Sequence, residues 1–264
     1  MIVLITGVSG GLGQVLARTL LDKGATVYGT MRNPGGREQD FPCIVLPLEA
    51  TSEESVQSCI DTVVEREGRI DAVVNCVNQM FIGSVEEASV EEVEQLYRTN
   101  VFGVLRICRA VLPQMREQGG GTIINMSSLG GLIPVPYMSA YTSAKFALEA
   151  MSESMYREVK GDNIRVVIMQ PVAMYMERSA TGAHLRLVDN VGDNSMSRRL
   201  LDKMTEDTAA SKLTPEMVAE KIYATLKQSN PPLRVPMDKA KAIGIIKRLA
   251  PQSMMDKLVS GLLK

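Results

Sequence analysis

Ile2-Val3-Leu4-Ile5-Thr6-Gly7-Val8-Ser9-Gly10-Gly11-Leu12-Gly13 is the stretch on which the fold turns. Its opening apolar run, rich in β-branched residues, reads as a strand buried on both faces. The run stops at glycines, and helical spacing of apolar residues takes over across 11–23, with Gly24 as the stop signal. A strand that empties through a glycine turn into a helix offers free N–H groups and the positive end of a dipole to a phosphate. Glycine there lets the backbone come close to a pyrophosphate. The spacing is T-G-x-x-x-G-x-G, which differs from the common G-x-G-x-x-G fingerprint. Gly7, Ser9, Gly10, Gly11, Leu12 and Gly13 are therefore candidate cofactor-binding residues.

Working outward, short apolar runs alternate with longer amphipathic stretches. Strands are expected at 25–30, 43–46, 71–75, 122–126, 164–169 and 233–235. Helices are expected at 51–67, 90–117 (bent or ended near Pro113), 139–160 and 215–227. This alternation predicts an α/β, doubly wound (Rossmann-like) parallel sheet of seven strands, one domain over 1–264. Residues 173–213 are polar and short of strand signals, and are expected to form a mobile lid over the active site. His184, the single histidine, reads as a loop residue within it. A helical tail follows at 239–264.

The composition excludes several classes. A net charge of -1 lacks the cationic surplus that a nucleic-acid binder needs. Cys43, Cys59, Cys76 and Cys108 show no CxxC spacing, and with one histidine they leave little from which to build a metal site. Met1 runs straight into the first strand, so no signal peptide is expected and the reducing cytoplasm is the expected compartment. The 17 methionines read mainly as core filling.

Two further regions carry chemistry. After the second strand the chain reads Tyr28-Gly29-Thr30-Met31-Arg32-Asn33, with no acid to accept from ribose hydroxyls and one arginine suited to a 2′-phosphate. NADP(H) is the expected cofactor, with Arg32 as its selector. Tyr141-Thr142-Ser143-Ala144-Lys145 sets a phenol and an ammonium one helical turn apart. An ammonium near tyrosine is expected to lower the phenol's pKa into a useful range. Tyr156/Lys160 and Tyr223/Lys227 share the spacing. Only Tyr141 has a serine, Ser128, 13 residues upstream and just past an apolar strand, where open α/β sheets bind ligands.

With these motifs in this order, residues 1–172 resemble the short-chain dehydrogenase/reductase family. The resemblance implies a catalytic tetrad of Asn100, Ser128, Tyr141 and Lys145. Asn100 then supports a proton relay, and Lys145 also holds the nicotinamide ribose. It places Glu49 near the adenine and Asn75 and Pro171 beside the cofactor. It implies hydride transfer between NADP(H) and a carbonyl or alcohol, and a homodimer or homotetramer built on helices near 90–116 and 139–160. Two places depart from the family: Asn78 and Val172 stand where glycine is usual, and Met176 where threonine often follows. A reshaped pocket, a non-redox proton transfer or a dinucleotide-binding protein without turnover remain alternatives. The later methionines, Met169, Met174 and Met176, point to a small apolar substrate. For the basic and apolar tail, cover over the pocket or a partner subunit is expected rather than a membrane surface.

Overall fold

The structure, a computed structural model, describes residues 1–175 and 185–261, excepting the Leu258 side chain. The expected Met176 and His184 therefore lie outside the described residues. In chain order the elements begin with β1 (Ile2–Thr6), α1 (Gly11–Asp22), β2 (Thr26–Met31), β3 (Ile44–Pro47) and α2 (Glu53–Glu67). Then come β4 (Ala72–Asn75), β5 (Phe81–Ile82), α3 (Val90–Tyr97), α4 (Val104–Glu117), β6 (Gly121–Met126) and α5 (Ser139–Glu158). The remainder is β7 (Ile164–Gln170), β8 (Arg186–Leu187), α6 (Met196–Ala209), α7 (Pro215–Leu226), β9 (Arg234–Pro236), α8 (Lys239–Leu249) and α9 (Gln252–Gly261).

Seven strands form one parallel sheet in the order β3-β2-β1-β4-β6-β7-β9. The order reverses between β1 and β4, which opens a crevice at their carboxyl ends, the usual ligand position in such sheets. Both faces are covered. Val3 and Ile5 join α1 and α7 in one core, whereas Leu4 joins α2, α4 and α5 in the other. That is why the strands are continuous apolar runs. Ser52 caps α2 by accepting from the Ser55 N–H at 3.1 Å, and Gly68 ends it at φ 71°.

Three expectations need correction. The long helix is not broken at Pro113, which lies inside α4 with its ring toward solvent. There the carbonyl that loses its partner can bond water. The irregularity falls instead at Arg98–Gly103, a π-helical turn between α3 and α4. Nor is 173–213 without regular structure. β8 pairs in parallel with β5, α6 fills 14 residues, and Leu185, Val188, Val191 and Leu200 are buried. Two carboxylates fasten this part down. Glu87 accepts from the Ser195 hydroxyl and, at 2.5 Å, from the Ser197 hydroxyl; Glu92 accepts from the Asp189 N–H at 2.9 Å. Finally, the tail is two helices, split at Pro251. Among the described residues, no helix is long and apolar enough to cross a membrane.

Candidate active site

The crevice above β1 and β4 gathers the glycine turn. Gly7 has φ 79°, and its N–H and that of Val8 both donate to Thr30 O, at 3.0 and 2.9 Å. A Cβ on Gly13 would lie 2.6 Å from Gly7 O, so the turn can close on the helix only with glycine there. Ser9 and Gly10 are exposed, and no side chain caps the start of α1. Its first N–H groups are thus left for an external acceptor. Arg32 follows β2 directly and is exposed, without a carboxylate partner among the described residues. Glu49 follows β3. One of its oxygens accepts from the N–H and hydroxyl of Thr51, both at 2.9 Å.

Asn75 ends β4 with its side chain turned inward. It donates to Asn125 Oδ1 at 2.9 Å and accepts from the Thr6 hydroxyl at 3.4 Å. That side chain ties strands together at the end of β4. Asn100 sits in the π turn, fully buried. Its amide accepts from Gln79 N–H and donates to Gln79 O, each at 2.7 Å. It therefore clamps the loop after β4. The extra residue of a π turn redirects a side chain that an α-helix would place elsewhere.

Ser128 follows β6 and Tyr141 and Lys145 lie in the first turns of α5, so all three converge on the carboxyl rim. The Ser128 hydroxyl accepts from Gly130 N–H at 3.2 Å, and it also lies within hydrogen-bonding reach of the Tyr141 phenol. Gly130 packs so near the Tyr141 ring that a Cβ there would meet Cε1 at 3.2 Å. Pro171 O accepts from Leu129 N–H at 2.9 Å, which sets the end of β7 against the serine loop. The Asn78 amide is likewise within reach of the phenol. From the sequence, Asn78 stands out only as a missing glycine; no pattern announces its side chain at the tyrosine. Neither Asn78 nor Val172 has a positive φ, so losing glycine strains neither position.

Lys145 is buried and donates to Met126 O at 2.8 Å, with its Nζ 5.6 Å from the Tyr141 ring centroid. Among the protein's own groups, burial pushes Tyr141 upward, and the neighbouring Ser128 and Asn78 side chains offset it only in part. Burial also pulls Lys145 down to about 8, against the opposing influence of Cys76 and Glu149. At neutral pH the rim therefore presents a protonated phenol beside an ammonium. The other two Tyr-x-x-x-Lys pairs are bland: Lys160 and Lys227 are exposed, and Tyr223 packs beneath Lys23.

The family model of the short chain dehydrogenases matches residues 1–182. The chain belongs to this family. It is 39% identical over 170 residues to a 3-ketodihydrosphingosine reductase of Bacteroides thetaiotaomicron, a match spanning 64% of this chain and 62% of that reductase. It is 30% identical over 268 residues to the uncharacterized oxidoreductase YbbO of Escherichia coli K12, covering 98% of this chain and 94% of the relative. A short-chain dehydrogenase from Streptomyces avermitilis superposes with a TM-score of 0.80 at 28% identity, covering 99% and 94% of the two chains. This protein is thus an oxidoreductase of the short-chain dehydrogenase family, whose fold takes a nicotinamide dinucleotide.

The residues present fit such a group. Gly13 allows the cradle to form, the uncapped start of α1 offers N–H donors, and buried Lys145 has used one N–H of three among the described residues. A buried ammonium with donors to spare is costly unless a ligand accepts from them.

Proposed function

We propose that this dehydrogenase is an NADP(H)-dependent reductase acting on the carbonyl of a small apolar substrate. The observation that carries the reading is the buried Tyr141 phenol, held protonated beside Ser128 and Asn78 and one turn from the Lys145 ammonium. The dinucleotide, when bound, would supply the hydride that the carbonyl carbon receives. Tyr141 gives its proton to the carbonyl oxygen, and the product is an alcohol. Ser128 holds that oxygen as charge builds on it. Lys145 lies one turn from the phenol, and its remaining donors suit ribose hydroxyls. Asn100 acts by fixing the 76–80 loop, and so Asn78, against the phenol.

Selection of NADP(H) rests on Arg32, exposed at the carboxyl end of β2, and on the lack of an acid across 28–33. Glu49 lies near enough in the fold, after the adjacent β3, to flank the adenine end. The apolar substrate is supported by Met174, part-buried beyond the end of β7, and by the ketone named in the Bacteroides reductase, whereas Met169 is core. A homodimer or homotetramer is supported by Phe102 and Leu105, exposed on the π turn and α4.

The test is NADPH absorbance at neutral pH with a panel of apolar ketones and aldehydes. Oxidation of NADPH with stoichiometric alcohol is expected. Tight NADPH binding without oxidation by any carbonyl would sink the reductase and leave non-redox proton transfer or a binding role.

A further inference from the structure

One side of the carboxyl-terminal helices packs as the sequence suggests. Ala240 and Met255 are buried, and Met237 N–H donates to Gln170 O at 3.1 Å. Lys247 bonds Leu132 O and lies 4.5 Å from the Phe146 ring. The other side covers nothing. At about 100° per residue, Arg248, Lys241, Ile245 and Leu249 fall within roughly 100° of arc on α8. All four are exposed, Leu249 at 82% and Ile245 at 53%. Beyond Pro251, Met254 is exposed at 51% on α9, with exposed Lys257 three residues on. Across 239–261 there are Lys239, Lys241, Lys247, Arg248 and Lys257 against Asp256 alone. None of these five cations has a carboxylate partner among the described residues.

We propose that this face of α8 and α9 docks on a lipid bilayer surface that carries anionic headgroups. Ile245, Leu249 and Met254 enter the boundary between headgroups and acyl chains, while Lys241, Arg248 and Lys257 meet lipid phosphates. Single exposed apolar residues are ordinary; Ile245 and Leu249 on one face of α8, flanked by cations without carboxylate partners among the described residues and followed by exposed Met254, are the pattern of a helix lying in the membrane plane. Helices of 11 and 10 residues suit that posture and are too short to span. A second copy of the chain is a poor occupant, because a two-fold axis here would set like charges against one another. Position adds to the case. Pro236, the last residue of β9, registers with Gln170 at the carboxyl end of β7, so α8 starts on the rim that holds Ser128 and Tyr141. The inference goes beyond the redox reading and stands without it.

Flotation of the full-length protein with vesicles tests it. Vesicles of phosphatidylcholine mixed with phosphatidylglycerol should carry the protein, and phosphatidylcholine alone should carry far less. Added salt should release it, as screening weakens surface attraction. Lys241→Glu with Arg248→Glu should lower apparent affinity on the order of tenfold or more, and Ile245→Asp with Leu249→Asp should do likewise. Thermal melting and dinucleotide binding should stay unchanged and so report intact folding; if the aspartate pair unfolds, the glutamate pair alone decides. The proposal is overturned if wild type ignores anionic vesicles, if both vesicle types bind equally, or if correctly folded variants bind as wild type does. It is also overturned if the substitutions instead dissolve a wild-type oligomer that shows no vesicle binding, which makes the face an interface between copies.

Discussion

Two carboxamides flank the same strand and make the same pair of bonds, yet they lie at opposite rims of the sheet. At the carboxyl rim, Asn100 holds the N–H and C=O of Gln79, just after β4. At the amino rim, Gln118 holds the N–H and C=O of Ile70, just before β4, at 3.0 and 2.7 Å. The surroundings differ. At the amino rim most polar groups are partnered, Arg165 Nε excepted: Arg69 pairs with Asp71 at 2.7 Å, Asp71 accepts from Ile2 N–H at 2.7 Å, and Asn163 donates to Gly119 O at 2.8 Å. At the carboxyl rim, among the described residues, Arg32 has no anion, Lys145 has one hydrogen bond, and the start of α1 is uncapped. A cleft of 300 Å³ marks the amino rim as well, lined by Arg69, Asp71, Gln118 and Asn163. Concavity thus fails to mark the site; hydrogen-bonding capacity left open does.

The sharpest contrast is between two tyrosines of α5. Tyr141→Phe keeps the ring and removes the proton, so carbonyl reduction should fall by about 10²–10⁴, the usual worth of a positioned acid. Dinucleotide affinity should persist. Tyr156→Phe, toward the other rim, should leave turnover unchanged. Steady-state kinetics on both variants decide the matter, and equal effects would erase the distinction between the rims. The pH dependence follows from the same groups. Tyr141 is raised by burial, so it keeps its proton through neutrality, whereas Lys145, lowered to about 8, loses its charge above that pH. The kcat/KM for reduction should therefore be flat on the acid side and decline above about pH 8. A rise across that range would contradict the assignment of the phenol as proton donor.

The arginines make the next comparison. Arg32→Ala should weaken NADPH by about ten- to hundredfold, from a charge-assisted contact of about 1.5–3 kcal/mol, with little change for NADH. Arg69→Ala should alter neither affinity, because its charge is already partnered by Asp71 and largely exposed. Calorimetry with both dinucleotides on both variants measures this. Equal wild-type affinity for NADPH and NADH would refute Arg32 as a selector.

Much of this frame is legible in the chain itself, for a physical reason. A strand buried on both faces must be continuously apolar, and a parallel strand must be followed by a crossover helix, so β1, β2, β3, β4, β6 and β7 leave strong local traces. Glycine is equally legible where geometry forbids a side chain, as at Gly13. The rest depends on contacts distant in sequence. Pro113 advertises a break that its solvent-facing position makes harmless, while the π turn at Arg98–Gly103 has no local signature. α6 is polar and buries little beyond Ser197, Leu200 and Thr208, so its periodicity is faint. β5 and β8, two residues each, are too short to show a period. The phenol's surroundings are a further case: Tyr141 and Lys145 are visible as a pair, whereas the burial that raises the phenol's pKa belongs to the whole fold.

The twin carboxamides provide the smallest and most discriminating measurement. Asn100→Ala removes a buried carboxamide and leaves the part-buried N–H and C=O of Gln79 without partners, which costs about 1–3 kcal/mol of stability. It also frees the loop that carries Asn78 to the phenol. Small misplacements at a reacting centre are expensive, so turnover should drop on the order of ten- to hundredfold. Gln118→Ala breaks the same two bonds to Ile70, together with its bond to Gly120 O at 2.9 Å. Gln118 is only partly buried, however, so water can take its place and the cost should be nearer about 1 kcal/mol. Nothing it holds leads to Tyr141 or Lys145, so kcat and KM should match wild type at temperatures where both remain folded. Thermal melting with kinetics on the two variants separates holding the fold from holding the site. If Gln118→Ala slows turnover as much as Asn100→Ala, the effect travels through general loosening of β4, and the Asn100 clamp has no special claim on catalysis.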